Sequence, residues 1–270
     1  MAENTAGRGL GIGNEMSQTQ TLTPGPLRPI GLIGGMSYHS TVDYYMAIND
    51  QVAAARGGFS SAPILLSSVD FAVIRAFQEA GDWAGAGREL AGHAVRLERA
   101  GAQAVMICTN LMHKVAPAVQ AAVKAPLLHM LDAVAGAARD RGVDRLGIMG
   151  ARWTMTEPFY ADGLRQRGVE PVRADDADVA LTDQIIFQEL TLGRVTNSSR
   201  QALLGVVDRL VRAGARGVVL GCTELPLILK PGDAEVPLLD STAAHAALAA
   251  RFVLGGGPNP APPPPARSRE

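Results

Sequence analysis

The chain has few cysteines, no long apolar run, no excess of either charge and no complete nucleotide or metal motif. Two cysteines, Cys108 and Cys222, in 270 residues exclude a disulfide scaffold; both thiols are expected to be reduced, as buried apolar groups or as reactive ones. Lys plus Arg number 25 and Asp plus Glu 26, for a formal net charge of -1. That balance argues against a general nucleic-acid or membrane-surface binder. No apolar run reaches the length of a spanning helix. The first residues lack a basic stretch followed by an apolar core, so no secretory leader is expected and the location is expected to be cytoplasmic. Gly31 to Gly35 lacks the full dinucleotide-loop spacing, and no His, Cys and Asp residues have metal-ligand spacing, so no cofactor or metal is expected.

Hydrophobic residues make up 47% of the chain, enough for a sizeable core. Residues 1–28 are rich in Gly, Thr, Ser and Gln, and 255–270 read GGGPNPAPPPPARSRE. Neither stretch buries enough apolar area to offset its ordering entropy, so both are expected to be disordered tails. Between them, short apolar runs alternate with amphipathic stretches. Strands are expected at 29–34, 63–67, 103–108, 126–129, 145–149, 170–173, 216–221 and 236–239. Helices are expected at 39–54, 83–100, 111–123, 131–141, 156–167, 178–191, 198–213 and 241–253. Val, Ile and Leu dominate the strands, as in parallel sheets covered on both faces.

The chain also repeats itself. Residues 96–107 read RLERAGAQAVMI and 209–220 read RLVRAGARGVVL, 113 positions apart. Ile30-Gly31-Leu32-Ile33-Gly34 is echoed by Leu146-Gly147-Ile148-Met149-Gly150, and Ala125-Pro126-Leu127-Leu128 by Val236-Pro237-Leu238-Leu239. Three anchors in one order imply an α/β protein of two pseudo-symmetric three-layer αβα halves with mainly parallel sheets and a site in the cleft between them. The halves are expected at 29–127 plus 228–254 and at 128–227.

Both repeated strands end in residues able to carry chemistry. One is followed by Cys108-Thr109-Asn110-Leu111-Met112-His113, the other by Gly221-Cys222-Thr223-Glu224. Acid/base groups on opposite sides of one small ligand suit removal of a proton from one face of a carbon and its return to the other. Helix N-termini at the strand ends are expected to lower the thiol pKa. In the repeat register Thr109, not Cys108, is the partner of Cys222. His113, four residues on, is placed to assist, or serves as a structural hydrogen-bonder.

These segments, with Gly34-Gly35-Met36-Ser37, Ser40-Thr41, Tyr44-Tyr45 and Ser68-Val69-Asp70-Phe71, resemble the aspartate/glutamate racemase family, and within it the aspartate-racemase branch. The resemblance covers essentially all of 28–254. It implies a racemase independent of pyridoxal phosphate, acting on aspartate or glutamate, a small-molecule substrate and a homodimer. The family usually pairs two cysteines, and its first signature commonly reads Cys-Asn-Thr. Aligned on Asn110, the catalytic position here falls on Thr109, as in a subgroup that resembles this chain and favours one enantiomer, typically L-aspartate or L-glutamate. Cys222 is thus one expected base, and Thr109 or Cys108 the other. Met36, Ser37, Asn110, Leu111, Thr223 and Glu224 are expected around the substrate, Glu224 against its ammonium or simply as an acid at a helix start. Arg75 aligns with an arginine that binds the side-chain carboxylate in some aspartate racemases, unless it is merely a solvated surface residue. Gln78 lies a turn later. Thr191 stands where some relatives carry a lysine. Related activities on this architecture are maleate isomerisation, hydantoin racemisation and arylmalonate decarboxylation. A two-lobed binding protein without catalysis is the remaining alternative.

Overall fold

Parallel strands with apolar side chains on both faces demand helices on both sides, and the computed structural model, which describes residues 25–257, has that arrangement. One sheet contains β1 (Ile30–Gly34), β2 (Ile64–Ser68) and β3 (Ala104–Ile107), in the order β2-β1-β3. The other contains β4 (Arg145–Gly150), β5 (Glu170–Val172), β6 (Gly217–Gly221) and β7 (Leu238–Asp240), in the order β5-β4-β6-β7. All pairings are parallel. The helices are α1 (Tyr38–Arg56), α2 (Phe71–Ala80), α3 (Trp83–Arg99), α4 (Ala116–Ala121), α5 (Met130–Arg139), α6 (Arg152–Thr156), α7 (Pro158–Arg165), α8 (Asp176–Gln188), α9 (Asn197–Arg212), α10 (Leu225–Ile228) and α11 (Ser241–Val253). Two 3-10 turns cover Leu111–Val115 and Leu190–Leu192. Among the described residues no helix is long and apolar enough to cross a membrane.

The internal repeat is a repeat of topology. The expected strand at 126–129 is reduced to one parallel bridge, Val105 to Leu127. It occupies the place that β7 takes in the other sheet, where Val218 pairs with Leu238. The anchoring bonds match: Val105 N donates to Pro126 O at 3.0 Å, and Val218 N to Pro237 O at 2.9 Å. β7 therefore belongs to the second sheet, which corrects the expectation that 228–254 continue the first half. The next helix, α11, packs on α1 and α5.

Side chains alternate across each sheet. In the first, Ile30, Leu32, Ala104 and Met106 face one core, while Ile33, Val105 and Ile107 face another beneath α3. Leu146, Ile148 and Val219 of the second sheet enter the same core as Ile30, so one apolar cluster joins both halves. Met149, Val218 and Leu220 face a third cluster against α8 and α9.

Some boundaries differ from the sequence expectation for local reasons. The helix expected at 156–167 is split, because Glu157 precedes Pro158 and is extended (φ -71°, ψ 141°). The helix expected at 111–123 opens as a 3-10 turn and becomes α4 with Pro117 in its first turn. The helix α2 is an addition to the expected set. Its signals are an Asp70 N-cap that accepts from Ala72 N at 2.9 Å and a left-handed Gly81 at its end. The expected tails 1–28 and 255–270 lie outside the described residues except for 25–28 and 255–257. Within those, Arg28 N donates to Val253 O at 3.0 Å, so the ordered chain starts before Pro29.

Three histidines stabilise the joint in their neutral form. His245 Nε2 donates to Leu128 O at 2.7 Å and its Nδ1 accepts from the Tyr44 hydroxyl at 3.0 Å. His113 and His129 stack edge-on beside it. Burial pushes His245 down to about 4 and His129 to about 3, and holds His113 well below the usual range. Unfolded histidine titrates near 6.5, so below that pH the unfolded chain binds protons that the folded chain refuses. Stability is predicted to fall as pH drops from about 6.5 toward 4. Urea midpoints at pH 7 and pH 5 check this: the midpoint should be lower at pH 5, and His245→Gln should flatten the difference. Equal midpoints at the two pH values would contradict the reading.

Candidate active site

β3 and β6, the strands that carry the repeat, each run out into a turn at the same cleft. After β3, Cys108 N still bonds Ile33 O at 3.0 Å, and Thr109 N then turns back on Ile107 O at 2.8 Å. After β6, Cys222, Thr223 and Glu224 lead into α10, with Leu225 N on Cys222 O at 3.3 Å. Between the turns lies a cavity of about 450 Å³ lined by Thr109 and Cys222 together.

The residues expected around a substrate are also on its wall: Met36, Ser37, Arg75, Gln78, Asn110, Leu111, Thr223 and Glu224. Met36 and Ser37 come from the turn after β1. That turn is tight because Gly35 has φ +94°, and a Cβ there would collide with the backbone of Val69. Its amide donates to Thr41 Oγ1 at 2.8 Å, which ties the turn to α1.

Several expected ligands have structural duties. Asn110 is buried; its Nδ2 donates to Ser241 Oγ at 3.0 Å, and its Oδ1 accepts from the Tyr160 hydroxyl at 3.2 Å. Its side chain therefore links the end of β3 to α11 and α7. Gln78 is buried and donates to Met112 Sδ at 3.2 Å. Arg75 is on the cavity wall rather than merely solvated. Its Nη2 donates to Glu79 Oε1 at 2.8 Å, and its guanidinium sits 5.7 Å from the ring centre of Trp153 on the facing half.

Two residues expected to act in catalysis lie away from the cavity wall. Cys108 has the same parity as Ala104 and Met106, so its thiol enters the shared core. It is fully buried, outside the cavity lining, and burial pushes its thiol far up. His113 is also outside the cavity. Its Nδ1 donates to Thr109 O at 2.8 Å and its Nε2 accepts from Met130 N at 3.1 Å. With both ring nitrogens held by backbone, it fixes the turn carrying Thr109 and has no nitrogen left for proton transfer.

The state of Cys222 also differs from expectation. The thiol donates to Glu224 Oε2 at 2.9 Å, and the Thr223 hydroxyl donates to the same oxygen at 2.8 Å. Burial, then the Glu224 charge and hydrogen bond, push the thiol well above its ordinary value; the amides of Glu224 and Thr223 pull the other way and are outweighed. Burial and Glu224 thus act against a thiolate here, more strongly than the amides at the helix start favour one.

The wall includes residues not anticipated from the sequence: His39, Phe71, Met112, Ala151, Trp153, Thr154, Ile186 and Phe187, alongside Thr191. The repeat held a signal for some of them. Since β4 repeats β1, the turn after Gly150 occupies the place of Gly35-Met36-Ser37, and Ala151 and Trp153 lie in or just after it. Nothing in the spacing around Ile186 and Phe187 marks them as facing the cleft.

Comparison with known proteins identifies the family and the fold. The Asp/Glu/Hydantoin racemase family model matches residues 33–249. A solved structure described as a putative Asp/Glu racemase from Yersinia pestis is 43% identical, with a TM-score of 0.81, covering 84% of this chain and 100% of that one. An aspartate racemase homologue from Pyrococcus horikoshii OT3 is 32% identical, with a TM-score of 0.75, covering 84% of this chain and 99% of that one. An uncharacterised protein from Pectobacterium carotovorum is 30% identical over 107 residues, 40% of this chain and 70% of its own length. On the matched length, the fold and the paired strand-end motifs together, the chain belongs to the Asp/Glu/Hydantoin racemase family.

Proposed function

We propose that the protein interconverts the enantiomers of an α-amino acid, aspartate or glutamate, without a cofactor, by proton transfer at Cα between Cys222 and Thr109. The observation that carries the reading is the convergence of these two side chains, equivalent in the internal repeat, on one cavity. A substrate Cα between them presents one face to a thiol and the other to a hydroxyl. Glu224 offers the substrate ammonium a counter-charge. Arg75 is the cation among the cavity-lining residues and suits a second carboxylate. The apolar wall of Phe71, Trp153 and Phe187 keeps water from the carbanion, which would otherwise be quenched nonspecifically.

The two bases are unequal. A thiol is a far stronger acid than an aliphatic hydroxyl, so a thiolate at Cys222 forms more readily than an alkoxide at Thr109 and Cys222 is the readier base; in the reverse direction Thr109 takes the proton and Cys222 returns one. The equilibrium constant of racemisation is one, so kcat/KM is the same in both directions whatever the bases. The inequality appears instead in exchange with retention, the replacement of Cα–H by solvent deuterium without inversion.

Cys222→Ala is predicted to abolish both racemisation and Cα exchange, as chiral chromatography and proton NMR in heavy water would show. Thr109→Ala should lower racemisation by about 10²–10⁴-fold while leaving exchange into one enantiomer. Exchange surviving in Cys222→Ala would exclude this thiol as the base. In Arg75→Ala, KM for aspartate and glutamate should rise by at least tenfold, about 1.4 kcal/mol, with alanine turnover little changed. An unchanged KM for the acidic substrates would remove Arg75 from their binding.

A further inference from the structure

The turn that follows Thr109 has two sides. In the 3-10 turn Leu111–Val115, Leu111 and Met112 line the cavity described above, while His113 and Lys114 line a second one of about 640 Å³. That volume is within the range usual for small-molecule sites. The second cavity lies at the joint of the halves: Lys114 and Pro117 belong to the first, Phe159, Asp162 and Arg167 to the second, and His129 stands at the crossover between them. We propose that this second cavity is an effector site for a zwitterion, an amino acid with a bulky apolar side chain, which binds behind Thr109 and tightens the active site. Its effect on turnover rests on the racemase reading above; its binding chemistry does not.

An unused donor marks the wall. His129 Nδ1 accepts from Leu131 N at 3.1 Å, and burial keeps the imidazole neutral, so the ring proton is on Nε2. Among the described residues no hydrogen bond uses that Nε2–H, and it is not sealed among the buried polar atoms that lack partners, so it is open to the cavity. Arg167 stands close enough to act on the same ring by its charge. The charged side chains on the wall are two of each sign, Lys114 and Arg167 against Asp132 and Asp162. Arg167 pairs with Asp132, Lys114 with Glu157 at 2.9 Å, and Asp162 with the half-exposed Arg165. Balanced charge disfavours a simple anion or cation and suits a ligand carrying both signs. Its carboxylate meets the His129 Nε2–H and Arg167, and its ammonium meets Asp162. Leu127, Leu131 and Phe159 give its side chain an apolar surface. The second carboxylate of aspartate or glutamate would fall on that surface, so the effector is not the proposed substrate.

One histidine links the two cavities. His113 lines the second, and its Nδ1 donates to Thr109 O at 2.8 Å while its Nε2 accepts from Met130 N at 3.1 Å. An occupant against His113 therefore bears on the turn that presents Thr109. It also ties the Lys114 side of the first half to α7 of the second, and Thr109 and Cys222 come from opposite halves. Both cavities are formed in the same arrangement of the halves, so a ligand in one favours the other. The coupling free energy is the same in both directions, and its sign is activation: substrate binds more tightly with the effector in place.

The test is calorimetric titration of the full chain with L-phenylalanine and L-leucine, and with phenylacetate and phenethylamine as probes that each lack one charge. The two amino acids should bind, and each one-charge probe should bind more weakly by about tenfold or more. Asp162→Asn, at a half-exposed side chain outside the catalytic cavity, should weaken phenylalanine by a similar factor and leave racemisation without effector unchanged. His129→Asn keeps an acceptor to cap α5 but loses the imidazole donor, and should weaken binding too. In the wild type, phenylalanine should lower KM for aspartate or glutamate by about 5-fold or more, an effect lost in Asp162→Asn. The proposal is overturned if phenylalanine and leucine do not bind, if both variants bind them as the wild type does, if the one-charge probes bind equally well, or if KM does not fall. Binding that persists in an enzyme exchanging no Cα proton of any amino acid would instead overturn the racemase reading and leave the second site standing.

Discussion

The side chain of Asn110 holds the two halves of the site in register. Its amide nitrogen donates to Ser241 Oγ, and that hydroxyl donates to Leu220 O at 2.8 Å. Leu220 is two residues before Cys222, and Asn110 is next to Thr109. Two hydrogen bonds therefore connect the side chain next to Thr109 to the backbone just before Cys222. Tyr160 closes the network from α7. All three side chains are buried, so each bond matters more for what its loss leaves behind than for what it adds: an unsatisfied buried amide or hydroxyl costs about 1–3 kcal/mol. In the proposed reaction both groups work at one carbon, and this network ties together the turns that carry them.

Around the clamp, symmetry supplies the frame and its local breaking supplies the chemistry. β3 and β6, equivalent in the repeat, end at one cleft, and the turn after each places a side chain, Thr109 or Cys222, on its wall. Beyond that the halves diverge. The Thr109 turn is steadied by a neutral histidine on its carbonyl and continues into Leu111. The Cys222 turn is steadied by a hydroxyl and a carboxylate. The result is a thiol hydrogen-bonded to a carboxylate on one side of the cavity and a hydroxyl followed by an apolar residue on the other. Across the mouth, the Arg75 guanidinium over Trp153 brings α2 of one half against α6 of the other.

Much of this was legible in the sequence, and the exceptions have physical causes. The repeat of RLERAGAQAVMI located β3 and β6 and identified Thr109 as the partner of Cys222, because a repeated helix-turn-strand unit fixes the register of the residues just beyond its strand. Strand parity shows why Cys108 is excluded: it continues the alternation of Ala104 and Met106 into the core. The break at Pro158 was readable from the residue before it. The upward push on the Cys222 thiol was not readable, since it depends on a burial and a carboxylate position that only the folded turn defines. The same holds for His113, whose two backbone partners are near in space and only one is near in sequence. Ile186 and Phe187 reach the cleft through the packing of α8 against β4 and α6, which no local pattern announces.

The central claim is that a repeated frame holds two unequal bases, with Cys222 the readier one. Incubation of the wild-type enzyme with each enantiomer separately in heavy water, stopped before equilibrium, tests it most directly. The account predicts that the unreacted substrate recovered from one enantiomer carries deuterium at Cα while that recovered from the other carries far less. Equal deuterium in both recovered substrates would contradict it and would mean that the two sides of the site act as equivalent bases.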